Sequence, residues 1–270
     1  MVNVTPTFLR LPERTVKPRR SGITHAIDKG VSVREVAEVL EVAGPHLDVW
    51  KLGWGTAYLD PGLAAKLVLL AAHGVSACTG GTLLELAWQQ GAAAEFFDWA
   101  QEVGFPCVEV SRGVVPMTGA QKRDLVATAA ERFCVFAEVG VKDPAAPVRP
   151  QAWADEAAAD VAEGASWVVT EGRESGTVGL FDPDGAVRGD VVDAVVDAVG
   201  LATTVFEAPR KDQQAWLIRR CGPDVNLANV APCDALGVEA LRLGLRADTA
   251  SCRTADTAAV PTTAPRVLQR

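Results

Sequence analysis

From Gly22 onward, short runs of consecutive apolar residues alternate with longer stretches whose apolar positions recur every three or four residues. The first pattern marks a strand covered on both faces, the second a helix with one buried stripe. The strand candidates are Ile23 to Asp28, Val49 to Gly53, Val75 to Thr79, Cys107 to Ser111, Cys134 to Val139, Trp167 to Glu171, Thr203 to Glu207 and Val225 to Asn229. Between and after them come helical patterns at Val33 to Val42, Leu63 to Ala72, Leu83 to Val103 with Gly91 as a candidate break, Ala120 to Arg132, Trp153 to Glu163, Val191 to Val199, Gln213 to Arg220 and Val238 to Leu245. Eight such units predict an α/β protein, a (β/α)8 TIM barrel forming one domain over residues 22–249. A doubly wound open sheet competes, but no Gly-x-Gly-x-x-Gly turn follows the first strand and no run reads as a sheet edge. Residues 1–21, rich in Pro, Arg and Lys, read as an N-terminal arm, and residues 250–270 as a disordered tail.

A barrel places its chemistry where strands end, and the strand ends here are charged. The stretch Ala137-Glu138-Val139-Gly140-Val141-Lys142-Asp143 is the clearest case: an apolar run delivers a carboxylate and then, past a glycine, an ammonium. An ionised Glu in a strand built for burial is costly unless paired or bound to something. Comparable groups follow in the other units: Asp28 and Lys29, Lys51, Gly80-Gly81-Thr82, Glu109 with Ser111 and Arg112, Glu171 with Arg173, Glu207 with Arg210 and Lys211, and Asn226 with Asn229. Each alone is as well explained by a structural ion pair or a turn. Together they suit an anion, with Lys and Arg clamping phosphate or carboxylate and the acids available to a hard divalent metal. Gly80-Gly81-Thr82 opens a helix whose first N–H groups favour an anion.

With a net charge of -8 and 49% hydrophobic residues, the composition argues against nucleic acid or an anionic membrane as partner and is compatible with a small anionic substrate. No apolar run reaches the roughly 20 residues of a spanning helix, and no leader is legible, so a soluble cytoplasmic protein is expected. Of the six cysteines none forms a CxxC pair; Cys78, Cys107 and Cys134 fall in strand runs and read as buried thiols. With His25 the single histidine in a strand-like run, a zinc site is not expected. Arg242 and Arg246, four apart on a helix near the end of the barrel, read as a solvated face or as part of a homo-oligomer contact.

The motifs Ile27-Asp28-Lys29-Gly30, Lys51-Leu52-Gly53-Trp54-Gly55-Thr56, Gly80-Gly81-Thr82-Leu83, Val108-Glu109-Val110-Ser111, Glu138-Val139-Gly140, Glu171-Gly172-Arg173-Glu174-Ser175-Gly176, Phe206-Glu207-Ala208-Pro209, Lys211-Asp212-Gln213-Gln214, Asn226-Leu227-Ala228-Asn229 and Leu241-Arg242-Leu243-Gly244-Leu245-Arg246 occur in this order. In that series the chain resembles the phosphosulfolactate synthase family, from about Gly22 to Thr249. The resemblance implies a (β/α)8 barrel that joins sulfite to phosphoenolpyruvate with Mg2+ to give (2R)-2-phospho-3-sulfolactate, a lyase reaction on the way to coenzyme M or sulfolactate. It implies Lys142 as the proton donor.

For substrate charges the candidates are Asp28, Lys29, Lys51, Arg173 and Lys211, with Asn226, Asn229, Gly80, Gly81, Thr82 and Arg112 beside them. For Mg2+ they are Glu109, Glu138 and Glu171. Two departures bear on this reading. Val141 stands where the family carries a first lysine, and Arg112 where it carries an acid, which bears on metal binding. Two alternatives follow: a related barrel that adds another nucleophile to phosphoenolpyruvate, and a non-catalytic member that keeps the scaffold alone.

Overall fold

The computed structural model describes residues 8–140, 143 and 146–253. Eight parallel strands close into a barrel in sequence order, β1 (Thr24–Asp28), β2 (Val49–Leu52), β3 (Ser76–Thr79), β4 (Cys107–Val110), β5 (Cys134–Val139), β6 (Trp167–Thr170), β7 (Thr204–Glu207) and β8 (Asn226–Val230), with β8 pairing back to β1. The helices are α1 (Val33–Ala43), α2 (Thr56–Leu59), α3 (Leu63–Ala72), α4 (Gly81–Gln89), α5 (Ala93–Val103), α6 (Gly119–Ala130), α7 (Pro150–Ala162), α8 (Gly189–Val199), α9 (Lys211–Cys221) and α10 (Ala235–Arg242). The predicted helix from Leu83 to Val103 is two helices, parted at the turn that contains Gly91.

Two apolar clusters lie between sheet and helices, one centred on Trp50, Leu84, Phe97 and Val126, the other on Trp153, Phe181, Val192 and Phe206. A third fills the barrel interior with Ile23, Val49, Cys78, Cys107, Phe136, Val169, Val205 and Ala228. Successive inward positions on a strand are two residues apart. One step toward the C-terminal end from Val49, Cys107, Phe136, Val169 and Val205 therefore stand Lys51, Glu109, Glu138, Glu171 and Glu207. A charged layer rests directly on the apolar one.

Within the described residues of the arm, residues 14–19 are bound to the barrel floor. Arg14 pairs with Glu239 at 3.0 Å and with Asp224, Arg19 pairs with Asp48 at 3.0 Å, and the Lys17 ammonium donates to the carbonyls of Gly44 and His73. At the other end, a 3-10 helix over Ala247–Arg253 extends past the predicted start of the tail, and Cys252 packs on the second cluster. Residues 254–270 lie outside the described residues.

Candidate active site

The charged layer opens into a cavity of about 220 Å³ at the C-terminal mouth of the barrel. Its centre is built by strand ends. Lys51, at the end of β2, is 3% exposed and donates to Glu109 Oε2 at 2.8 Å and to Glu207 Oε1 at 3.2 Å. The second oxygen of each acid accepts a backbone N–H: Gly81 N to Glu109 Oε1 at 2.9 Å, and Gly172 N to Glu207 Oε2 at 2.9 Å. Both carboxylates are thus aimed by the loops that follow β3 and β6. Glu138 completes the group, since one carboxylate oxygen from each of Glu109, Glu138 and Glu207 lies within 4.8 Å of the others.

Burial raises the Glu109 carboxyl above its ordinary range; Lys51 opposes the rise, while the neighbouring charges of Glu138 and Glu207 add to it. For Lys51 burial acts downward, but Glu109, Glu207 and Glu138 outweigh it and hold the ammonium well above its ordinary value. Lys51 is therefore a fixed cation at neutral pH. One buried ammonium among three buried carboxylates leaves an excess of acid, and Glu171 at the cavity wall adds to it. Oxygen ligands in that number and charge fit a hard divalent cation such as Mg2+. The set differs from the expected one: the third acid close enough to share an ion with Glu109 and Glu138 is Glu207, at the end of β7, whereas Glu171 bonds the Arg173 N–H through Oε1 at 2.7 Å.

Of the other predicted residues, Gly80, Gly81, Thr82, Arg173 and Asn229 line the cavity. Gly81 must be glycine, because a Cβ there would run into Ser111. The α4 N-terminus it opens has no side-chain cap. Asn229, next to last in β8, has a left-handed conformation (φ 54°), and its buried Oδ1 has no hydrogen-bond partner among the described residues. Gly140 follows β5 at φ 117°, where a Cβ would strike Trp153 and Glu171. Val141 and Lys142, the residues after it, lie outside the described residues.

The remaining candidates do not line the cavity as the chain stands. Asp28 is wholly buried but does not line the cavity: Oδ1 accepts from the N–H groups of Gly30 and Val31, and Oδ2 from Trp50 Nε1 at 3.0 Å and Lys66 Nζ at 2.7 Å. It fastens α3 to the end of β1. Asn226 opens β8 at the opposite end of the barrel, where its amide bonds Ile23 N and the carbonyls of Leu201, Ala202 and Thr204. Lys211 pairs with Asp248 at 2.9 Å, away from the cavity. Lys29 is exposed and lies over the Trp54 ring, 5.4 Å from its centroid. Arg112 forms a two-pronged pair with Glu156 of α7, at 2.9 and 2.7 Å, and also stays outside the cavity. The base that bore on metal binding is thus paired with Glu156 and is not among the residues lining the cavity.

Trp54 and Glu85 were not predicted. Trp54 lines the mouth, 51% exposed, in a left-handed conformation (φ 54°, ψ 26°) that a bulky residue adopts at a cost of order 1–3 kcal/mol. Glu85 on α4 is wholly buried and accepts from Ser111 Oγ and from the N–H groups of Gly113, Val114 and Val115, so it shapes the loop after β4. Glu85 lies within a helical stretch with no strand-end position to mark it.

The model of the family (2R)-phospho-3-sulfolactate synthase (ComA) matches residues 12–248. A phosphosulfolactate synthase of Bacillus subtilis is 38% identical over 244 residues, 89% of this chain and 97% of the relative. One from Methanothermobacter thermautotrophicus is 36% identical over 244 residues, covering 88% and 95%. Among solved structures, 3-keto-L-gulonate-6-phosphate decarboxylase from Vibrio cholerae superposes with a TM-score of 0.54 at 12% identity over 86% of this chain and 97% of that one, a likeness of fold alone. Among the described residues, no helix is long and apolar enough to cross a membrane.

Proposed function

The chain belongs to the phosphosulfolactate synthase family, and from that premise we propose that it is an enzyme adding sulfite to phosphoenolpyruvate, with Mg2+, to form (2R)-2-phospho-3-sulfolactate. The observation that carries the reading is the buried set of Lys51, Glu109, Glu138 and Glu207 at the barrel mouth.

Sulfite sulfur attacks the methylene carbon of phosphoenolpyruvate. A C–S bond forms, the double-bond electrons move toward the substrate carboxylate, and carbon 2 then takes a proton. Negative charge grows on the carboxylate, so groups fixed in advance around it lower the barrel's reorganisation on the way to the transition state. Bound Mg2+ would supply Lewis-acid stabilisation of that charge, with Glu109, Glu138 and Glu207 as its protein ligands. Lys51, held charged by two of the same acids, contributes a fixed positive charge beside them. The uncapped α4 N-terminus at Gly81 and Thr82 offers N–H donors and a positive dipole end to a substrate anion, and exposed Arg173 stands at the rim for a second one. The Asn229 amide faces the same space. Lys142 is the proposed proton donor to carbon 2, on the strength of its place in the family motif.

Purified protein with phosphoenolpyruvate, sulfite and Mg2+ should form a product carrying both phosphate and sulfonate, read by mass spectrometry, with one deuterium on carbon 2 in D2O. Turnover with another nucleophile and none with sulfite would replace the reading, and no consumption of phosphoenolpyruvate by folded protein would remove it.

A further inference from the structure

The floor of the barrel carries chemistry that the mouth does not use. Cys107 opens β4 and Cys134 opens β5, and the two are register partners on adjacent parallel strands. Both belong to the inward set, one inward step below Glu109 for Cys107 and two below Glu138 for Cys134. Adjacent strands run about 4.7–4.9 Å apart, inside the roughly 4.4–6.8 Å between Cα atoms that a disulfide spans. Both side chains pack in the same interior cluster, Cys107 within it and Cys134 against it. A cavity of about 140 Å³ at the floor, bounded by Lys17, Arg19, Asp48 and Trp167, reaches both sulfur-bearing residues. Cys134 is partly exposed and Cys107 is buried, so the pair has an outer and an inner member.

The chemistry of the two differs accordingly. The neighbouring Cys107 thiol draws the Cys134 thiol down to about 7 against the effect of burial, with Ser166 and Trp167 assisting. The same proximity, together with burial, pushes Cys107 well up. A substantial thiolate fraction at neutral pH on the more exposed member is what makes a cysteine react with an electrophile. Cys78 is the next cysteine in the same register, across from Cys107 on β3. It is wholly buried, its thiol donates to the Thr79 carbonyl at 3.4 Å, and burial holds it well above its ordinary value.

We propose that Cys107 and Cys134 form a dithiol at the barrel floor that hydrogen peroxide or a small organic peroxide oxidises to a reversible cross-strand disulfide. The Cys134 thiolate attacks a peroxide oxygen; the O–O bond breaks, leaving Cys134 as a sulfenic acid and expelling hydroxide or an alkoxide, which takes a proton from solvent to leave as water or an alcohol. Cys107 then attacks the Cys134 sulfur, the S–O bond breaks, and the departing hydroxide takes the Cys107 proton as water. Two thiols are oxidised by two electrons, and one peroxide is reduced.

The test uses the full chain carrying Cys233→Ser, which removes the exposed competing thiol. After treatment with stoichiometric peroxide at neutral pH, alkylation and digestion, the expected result is one linked peptide joining Cys107 to Cys134, two hydrogens lighter than the reduced pair and restored by dithiothreitol. Cys78 stays alkylatable. In the added variant Cys107→Ser, Cys134 should accumulate as sulfenic acid and be trapped by dimedone at least tenfold more than in the parent. A link from Cys107 to Cys78, or oxidised Cys134 with Cys107 still alkylatable, overturns the proposal. So does absence of reaction at both cysteines in excess peroxide, and the parent map stands whether or not the Cys107→Ser variant folds.

Discussion

Replacing Lys51 by Met removes the buried cation around which Glu109, Glu207 and Glu138 are arranged while keeping the length of the side chain. Both Lys51 and the acids it bonds are almost wholly buried, with contacts of 2.8 and 3.2 Å. Removing one member of such a set leaves charge buried without its counter-charge, at a cost of about 3–5 kcal/mol. At roughly 2 °C per kcal/mol for a chain of this size, Tm should fall by about 6–10 °C near pH 8. The pH dependence has a definite sign. Glu109 already sits above its ordinary 4.5, with burial as the main cause and Lys51 the opposing influence. Without Lys51 its carboxyl rises further, so the folded variant binds protons that the unfolded chain has released. Stability then falls as pH climbs through that window. The deficit of the variant should therefore be small near pH 5 and grow toward pH 8, and Mg2+ should raise its Tm more than that of the parent, because a cation is what the cluster has lost. Differential scanning fluorimetry across this range, with EDTA or MgCl2, reads all three effects. A deficit independent of pH, or none at pH 8, would refute the reasoning.

Other substitutions separate chemistry from support. Lys142→Ala should abolish product formation with Tm unchanged, whereas unaltered turnover would take Lys142 out of the mechanism. Arg112→Ala should leave kcat/KM within about twofold and cost about 1 kcal/mol in urea unfolding, since its partner is Glu156 and the pair is partly exposed. Asn226→Ala should cost about 2–4 kcal/mol by removing hydrogen bonds to four backbone groups at the floor, with KM unchanged. Asn229→Gly keeps the left-handed backbone, removes the amide from the cavity, and should raise KM about tenfold with little change in Tm.

The fold was legible because period and length are local properties. Short segments rich in apolar residues, each followed by a helical pattern, read as parallel strands covered on both faces, and eight of them in order fit a closed barrel. The charged layer was legible for the same reason: Lys51, Glu109, Glu138, Glu171 and Glu207 each lie two residues past an apolar inward position. What sequence could not reveal was which strand-end group spends its charge elsewhere. Asp28 is claimed by Lys66 on α3, Arg112 by Glu156 on α7 and Lys211 by Asp248, partners 38, 44 and 37 residues away whose approach depends on helix placement. Asn226 misled for another reason, since it opens its strand and faces the floor. Glu207 was legible as a strand-end acid, but its nearness to Glu109 and Glu138 follows from closure of the barrel across the interior.

In the proposed function the three carboxylates at the mouth hold a divalent ion against phosphoenolpyruvate. Its most direct measurement is Mn2+ binding in place of Mg2+, read by electron paramagnetic resonance and by relaxation of the 13C-labelled phosphoenolpyruvate carboxylate. The account predicts one tight site that broadens the carboxylate signal and is weakened at least tenfold by Glu207→Gln in a variant that stays folded. Tight binding that Glu207→Gln leaves intact, or a bound ion that leaves the carboxylate signal sharp, would contradict it.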